Sequence, residues 1–172
     1  MKTIIAILYA HLVKRRNKKW IDNPIKWQTN TFKKLIKNGV KTEFGKNHEF
    51  KNIKSYEQYK EKVPVRDYED LRPYIEKVVN GEKDILWPGK PLYFAKTSGT
   101  TSGAKYIPIT KESIKTHIRS ARDALLNYFL KTKNFKPLNG KHMFLQGSPK
   151  LEKKQGIYPV SYTHLTLPTT EA

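Results

Sequence analysis

Residues 91–110 of the chain read PLYFAKTSGTTSGAKYIPIT, and this stretch decides how the sequence is interpreted. It begins and ends with short aromatic and aliphatic runs, Pro91 to Ala95 and Tyr106 to Ile109, which have the length and composition of β-strands. Between them, residues 96–105 contain five hydroxyl side chains, two glycines and a final lysine. The pattern therefore predicts a polar loop that joins two strands.

The composition of this loop is typical of a phosphate-binding segment. Glycines allow backbone N–H groups to approach an anion closely, hydroxyls donate further hydrogen bonds, and lysine adds a positive charge on a flexible stem. The loop therefore predicts a polyphosphate ligand. A polar hairpin loop without any ligand could have the same composition, so that alternative stays open at this point.

Two common nucleotide-binding loops do not match this segment. A P-loop requires G-x-x-x-x-G-K followed by Ser or Thr and then a helix. Here Gly99 and Gly103 enclose only three residues, and Ala104 separates Gly103 from Lys105. Pro108 disfavours a helix directly after the loop. The G-x-G-x-x-G pattern of dinucleotide-binding folds is also absent from the sequence.

Helical patterns dominate the residues before this stretch. Apolar residues at three- and four-residue spacing predict helices over Lys2 to Lys18 and over Pro24 to Asn38. Ser55 is the expected N-cap of a third helix. A fourth helix is expected to have Pro73 in its first turn and to end at Gly81.

After the second strand, Thr110 is the expected N-cap of a long helix whose apolar residues continue to Phe129. A further strand is predicted over His142 to Leu145. The fold class is therefore α/β, with a helix-rich first half followed by strand, loop, strand, helix and strand. At 172 residues, the chain can form one domain or part of a larger one.

The composition excludes several kinds of chemistry. The chain has no cysteine, which rules out disulfide bonds, thiol nucleophiles and thiolate metal sites. Its five histidines are scattered and do not form a zinc-binding pattern. We therefore assign no metal-ligating residues, and catalysis must use oxygen and nitrogen groups.

The formal net charge of +19 supports a second hypothesis, a basic nucleic-acid-binding module with its densest cluster at Lys14 to Lys19. After Glu57, however, lysines alternate with acidic residues as on an ordinary solvated surface, so a nucleic-acid partner is not expected. The apolar stretch Thr3 to Ala10 is too short to span a bilayer and lacks a following cleavage site. We expect a cytoplasmic protein without a membrane partner.

Other conspicuous residues are interpreted as structural. Tyr68, Glu69 and Asp70 are expected near a helix start, where carboxylates satisfy free N–H groups. The three tryptophans are expected to pack in the core; they are Trp20, Trp27 and Trp87.

Residues 97–105, TSGTTSGAK, resemble the phosphate-binding motif of adenylate-forming enzymes, the superfamily of acyl-CoA synthetases, luciferases and peptide-synthetase adenylation domains. Six further motifs flank this segment: TEFGK at 42–46, VPV at 63–65, YEDL at 68–71, PYI at 73–75, NGE at 80–82 and FLQGSP at 144–149. Together they resemble the auxin-responsive Gretchen Hagen family of acyl-acid amido synthetases, in a bacterial-type version. The resemblance covers roughly Met1 to Val160.

This resemblance implies an enzyme that uses ATP and Mg²⁺ to adenylate a carboxylic acid, and then transfers the acyl group to an amino acid amine. An acyl- or aryl-CoA ligase with the same first step is the alternative. The implied site consists of hydroxyl donors, backbone-approach glycines and one phosphate-binding, catalytic lysine. In that order these are Ser98, Thr100, Thr101 and Ser102; Gly99 and Gly103; and Lys105.

The resemblance also implies that residues 1–160 are an incomplete N-terminal portion of the large adenylating domain. Residues 161–172 do not look like family sequence and are expected to be a read-through tail. The isolated chain is expected to be inactive. Its helices over Lys2 to Lys18 and Ser113 to Leu130 are expected to lack the partners they would normally pack against.

Overall fold

The computed structural model describes residues 2–97, 105–139 and 158–160. Six helices and three strands lie in these ranges: α1 (Lys2–Ile21), α2 (Pro24–Gly39), α3 (Glu43–Asn47), α4 (Tyr56–Lys62), α5 (Tyr68–Val79), β1 (Tyr93–Thr97), β2 (Lys105–Ile109), α6 (Lys111–Thr132) and β3 (Tyr158–Val160). Single 3₁₀ turns occupy Phe50–Asn52 and Lys136–Asn139. Within the described ranges, no helix combines the length and apolar character needed to cross a membrane.

The three strands form one sheet in the order β2-β1-β3. Strands β1 and β2 are antiparallel, with Thr97 paired to Lys105 and Tyr93 paired to Ile109. Strand β3 is parallel to β1. The two predicted strands are thus confirmed as neighbours, and the residue that follows the predicted loop, Lys105, begins a strand and not a helix. The strand predicted at 142–145 lies outside the described residues.

Capping residues explain where the helices begin. The Ser113 N–H donates to Thr110 Oγ1 at 3.1 Å and the Thr110 N–H donates to Ser113 Oγ at 2.9 Å, which confirms Thr110 as the N-cap of α6. The Gln58 N–H donates to Ser55 Oγ at 3.3 Å, which confirms Ser55 as the N-cap of α4. Such side-chain bonds satisfy N–H groups that the first helical turn leaves without partners.

The start of α5 differs from the sequence prediction. Helix α5 begins at Tyr68, with Asp67 as its N-cap, so Pro73 lies inside the helix and not in its first turn. The Asp70 N–H donates to Asp67 Oδ1 at 2.9 Å, and the Asp67 N–H donates to Asp70 Oδ2 at 3.4 Å. This reciprocal cap stabilises a helix that starts at Tyr68, five residues before Pro73. Proline has no backbone N–H, so the helix lacks one internal hydrogen bond at Pro73 and tolerates that loss. Gly81, just beyond its end, has the expected positive φ of 89°.

Helices α1 and α6 pack against each other. Their shared core contains Ala10 and Val13 from α1 and Leu126, Phe129 and Leu130 from α6. Each helix thus buries one face against the other, whereas the expected absence of further partners stays a prediction. The opposite side of α1 fits the expectation better, since it keeps four aliphatic side chains more than 60% exposed; these are Ile4, Ile5, Leu8 and Leu12.

Asp123 forms a polar contact across this helix pair. Arg16 Nη2 donates to Asp123 at 2.6 Å and Asn17 Nδ2 donates to it at 3.2 Å, while Arg122 Nη2 donates at 2.9 Å from the same helix. Burial raises the pKa of Asp123, but the hydrogen bonds from Arg122, Asn17 and Arg16 outweigh burial and hold the pKa below its ordinary value. The carboxylate is thus bound as an anion.

We expect this anion to stabilise the helix pair above pH 4 and not in strong acid. A lowered pKa in the folded state adds stability that is complete above the unfolded value, 3.8, and is lost as pH falls through the folded value. Asp123→Asn should therefore lower the free energy of unfolding by about 1 to 2 kcal/mol at pH 7. Urea denaturation at pH 7 and pH 2.5 should show this difference shrinking in acid. Asp22 is exposed, so Asp22→Asn serves as the control. If Asp123→Asn lowered the free energy of unfolding equally at both pH values, the lowered pKa of Asp123 would be contradicted.

A second core packs α5 against the sheet. Val78, Ile85 and Phe94 are buried together, and Tyr74 and Tyr106 pack against them. The rings of Phe94 and Tyr106 meet edge to face with centroids 6.0 Å apart. This packing fixes strands β1 and β2 relative to α5, and therefore fixes the strand ends that carry the predicted phosphate-binding loop.

The motif at 42–46 has a structural role. The Thr42 hydroxyl donates to the Gly39 carbonyl at 2.7 Å and accepts the Gly45 N–H at 3.0 Å, so it joins the end of α2 to the start of α3. The Phe44 N–H donates to the Ile85 carbonyl at 3.0 Å, which ties α3 to the segment that leads into β1. The motif thus connects the helical half of the chain to the sheet.

Gly45→Ala should destabilise the chain by about 1 to 3 kcal/mol because its new methyl group would overlap the Gly39 carbonyl oxygen. The overlapping atom belongs to the backbone, so no side-chain rotation can relieve the clash. Thermal unfolding monitored by circular dichroism would measure the loss. Lys46 is adjacent and exposed, so Lys46→Ala is the control and should hardly change the melting temperature. Equal melting temperatures for Gly45→Ala and the parent chain would contradict the close approach of Gly45 to the Gly39 carbonyl.

The tryptophans only partly follow the core prediction. Trp20 and Trp27 are 49% and 47% exposed, so the expectation that they pack in the core is wrong for these two. They line an open apolar groove between α1 and α2. Trp87 is half-buried, and its Nε1 donates to Glu112 at 3.2 Å.

Candidate functional site

The ends of strands β1 and β2 define the candidate site. Thr97 ends β1, Lys105 begins β2, and these two residues are paired across the ladder. Residues 98–104 therefore connect two neighbouring strand ends. The predicted phosphate-binding residues within that connection lie outside the described residues; they are Ser98, Gly99, Thr100, Thr101, Ser102 and Gly103. Lys105 is the predicted site residue whose position the structure gives.

The Lys105 side chain is half-buried and lies over an aromatic ring. Its Nζ atom is 5.2 Å from the centroid of the Tyr68 ring, a distance typical of a cation–π contact. Among the described residues, no carboxylate forms an ion pair with Lys105. Within the described residues, its positive charge is therefore not neutralised by an ion pair.

Tyr68 also holds the backbone of β2. The Tyr106 N–H donates to Tyr68 Oη at 2.7 Å, and the Tyr68 hydroxyl is 3.4 Å from the Tyr106 carbonyl oxygen. Tyr68 is the first residue of α5, so the capped start of this helix lies beside the start of β2. The interpretation of Tyr68 as only a helix-start residue thus missed its contact with Lys105. No local pattern could have revealed it, because the two residues are far apart in sequence.

A second cation lies near the same ring. The Arg72 guanidinium is 6.0 Å from the Tyr68 centroid, and Arg72 also pairs with Glu69 at 2.8 Å. The structural interpretation of Glu69 and Asp70 agrees with their contacts, since Glu69 is in an ion pair and Asp70 completes the helix cap. Because Glu69 neutralises Arg72, Lys105 is the cation near this ring that has no ion pair among the described residues.

The sequence matches a known family over most of its length. Residues 13–169 match the family described as "GH3 family N-terminal domain". The match runs past residue 160. The predicted boundary at that residue, between family sequence and a read-through tail, therefore stays a prediction. The bacterial-type subgroup also stays a prediction.

Two relatives illustrate the similarity. "Jasmonoyl--L-amino acid synthetase GH3.5" of Oryza sativa subsp. japonica is 28% identical over 139 residues, which are 79% of this chain and 23% of that protein. "Indole-3-acetic acid-amido synthetase GH3.15" of Arabidopsis thaliana is 41% identical over 64 residues, which are 36% of this chain and 11% of that protein. The chain spans less than a quarter of the length of either relative.

The fold agrees with a solved structure. "GH3.15 acyl acid amido synthetase" superposes with a TM-score of 0.70 at 22% identity, over 81% of this chain and 25% of that one. The likeness confirms the predicted α/β fold class, because this chain shares its fold with a quarter of that structure. The family match over residues 13–169 shows that the chain belongs to the GH3 family.

Proposed function

We propose that the chain is the N-terminal part, residues 1–160, of an ATP-dependent acyl-acid amido synthetase. The observation that carries this proposal is the position of Lys105. Lys105 directly follows a glycine- and hydroxyl-rich segment that joins two paired strand ends, and its ammonium group has no ion-pair partner among the described residues. A cation at this place fits the phosphates of a nucleotide.

Each residue of the segment has a proposed role. The hydroxyls of Ser98, Thr100, Thr101 and Ser102 donate hydrogen bonds to phosphate oxygens. Gly99 and Gly103 allow backbone N–H groups to approach, and Lys105 contributes the charge that stabilises the leaving pyrophosphate. The acid carboxylate would attack the α-phosphorus of ATP, so that an acyl-adenylate forms as the bond to pyrophosphate breaks, and the amine would then displace AMP. Mg²⁺ would share the negative charge of the phosphates.

The names of the relatives favour an amino acid as the acceptor over coenzyme A. Both relatives are named as amido synthetases or amino acid synthetases. We therefore propose a carboxylic acid and an amino acid as the substrates, and the cytoplasm as the location. The CoA ligase remains the alternative because it would use the same segment in the same first step.

The proposal can be tested on the complete natural protein by acid-dependent exchange of labelled pyrophosphate into ATP. A panel of carboxylic acids should include jasmonic acid and indole-3-acetic acid, the acids in the relatives' names. We expect exchange with at least one acid, and an amide product when amino acids are added. A thioester formed with CoA instead would support the alternative. Absence of exchange with every acid would reject both ligase assignments.

A further inference from the structure

One hydroxyl group binds both backbone polar groups of Tyr106. Strand β2 lies at the outer position of the three-stranded sheet, and Tyr106 is paired with Lys96 of β1. In an antiparallel pair, the N–H and C=O of one residue point to the same side of its strand. At Tyr106 both groups meet the hydroxyl of Tyr68, at 2.7 Å and 3.4 Å. Tyr68 therefore fixes the residue immediately after Lys105.

The ring of Tyr68 contacts the Lys105 side chain at the same time. With Nζ 5.2 Å from the ring centroid, the ring attracts the ammonium group from one side. The ammonium carries three N–H donors, so its other side can still bind an anion. A lysine that is already held loses less side-chain entropy when it binds a phosphate.

We propose that Tyr68 is a positioning residue for Lys105: its hydroxyl fixes the start of β2, and its ring holds the ammonium group where the phosphates of ATP bind. This inference rests on the proposed function, because it assigns Tyr68 to the same nucleotide site. Tyr68 acts through Lys105 and not by contact with the nucleotide. A ring that only stored the ammonium away from the ligand would have the opposite effect, since its removal would strengthen ATP binding.

A double-mutant cycle on the complete natural protein tests this coupling. Isothermal titration calorimetry would measure the dissociation constant of Mg-ATP for the parent, Tyr68→Leu, Lys105→Ala and the double variant. We expect Tyr68→Leu to weaken ATP binding by about three- to tenfold in the parent. In the Lys105→Ala background the same change should have less than about a twofold effect, because the coupled side chain is absent.

The chain offers a matched control. The Tyr56 ring in α4 has Lys60 Nζ at 5.7 Å, so Tyr56→Leu removes a similar contact away from the candidate site. Its dissociation constant for ATP should equal that of the parent. Equal weakening by Tyr68→Leu in both Lys105 backgrounds would overturn the proposal, as would unchanged or tighter binding.

A second measurement needs no nucleotide. Labelling with limiting acetic anhydride, followed by mass spectrometry, reports how reactive the Lys105 amine is relative to the other lysines. Tyr68→Leu should increase Lys105 labelling several-fold, whereas Tyr68→Phe keeps the ring and should stay within about twofold of the parent. Unchanged labelling in Tyr68→Leu, or equal labelling of the Leu and Phe variants, would overturn the role of the ring.

The outcomes separate this inference from the proposed function. If Lys105→Ala weakens ATP binding and Tyr68→Leu does not, the positioning role fails and the nucleotide site stands. If Lys105→Ala leaves ATP binding unchanged, the nucleotide site and the role of Tyr68 are both overturned. Thermal melts of each variant would exclude unfolding as the cause of weakened binding.

Discussion

Lys105→Ala is expected to lower acid-dependent ATP–pyrophosphate exchange by about 10²- to 10³-fold in the complete protein. The reason is electrostatic: in the proposed mechanism, the ammonium at the start of β2 stabilises the negative charge that grows on the leaving pyrophosphate. Exchange of labelled pyrophosphate at saturating acid and ATP measures this step without requiring the acceptor. The fall should appear in the rate and not only in the affinity for ATP.

The matched control for this prediction is Lys111→Ala. Lys111 is exposed at the first position of α6, six residues after Lys105, so its removal changes the net charge equally. The exchange rate of Lys111→Ala should stay within about twofold of the parent rate, because salt screens the charge of an exposed lysine that does not contact the phosphates. Equal losses in the two variants would point to net charge alone and contradict a specific role for Lys105.

Phe129→Ala is expected to have the largest effect on stability, about 3 to 5 kcal/mol. The Phe129 side chain is fully buried between α1 and α6, and its ring lies 5.6 Å from that of Phe135. Truncation would leave a cavity in the packing that joins the first helix to the last. Urea denaturation of the chain, followed by circular dichroism, would measure the change.

The neighbouring residue provides the comparison for that change. Tyr128 is aromatic and on the same helix, yet 48% exposed, so Tyr128→Ala should cost no more than about 1 kcal/mol. Similar losses in the two variants would mean that α1 and α6 do not form the core described here. A large loss of stability in Phe129→Ala but not in Tyr128→Ala would support the α1–α6 core.

Local chemistry in the sequence predicts most of the secondary structure. The hydroxyl caps at Ser55 and Thr110 mark helix starts because they bind N–H groups within the same turn. The change from helical spacing to short apolar runs marks β1 and β2. Pro73 misled the prediction for α5, since a proline suits a first turn but is also tolerated within a helix that a strong cap starts earlier.

The contacts that complete the site are not local, and the sequence could not reveal them. Tyr68 reaches Lys105 and Tyr106 because α5 packs on the sheet through Val78 and Phe94. The pairing of α1 with α6 likewise depends on tertiary packing, since an apolar stripe does not specify its partner. The apolar runs on either side of the motif did predict the two strands that flank it. The roles of Ser98 to Gly103 stay predictions.

Hydrogen–deuterium exchange of residues 97–105 in the complete protein would test most directly whether this segment holds the phosphates of ATP. Backbone N–H groups bound to phosphate exchange more slowly, so saturating Mg-ATP should protect these amides. AMP lacks the β- and γ-phosphates and should leave them largely unprotected. Slower exchange with Mg-ATP but not with AMP is the result we predict; unchanged exchange with Mg-ATP, or equal protection by AMP, would contradict it.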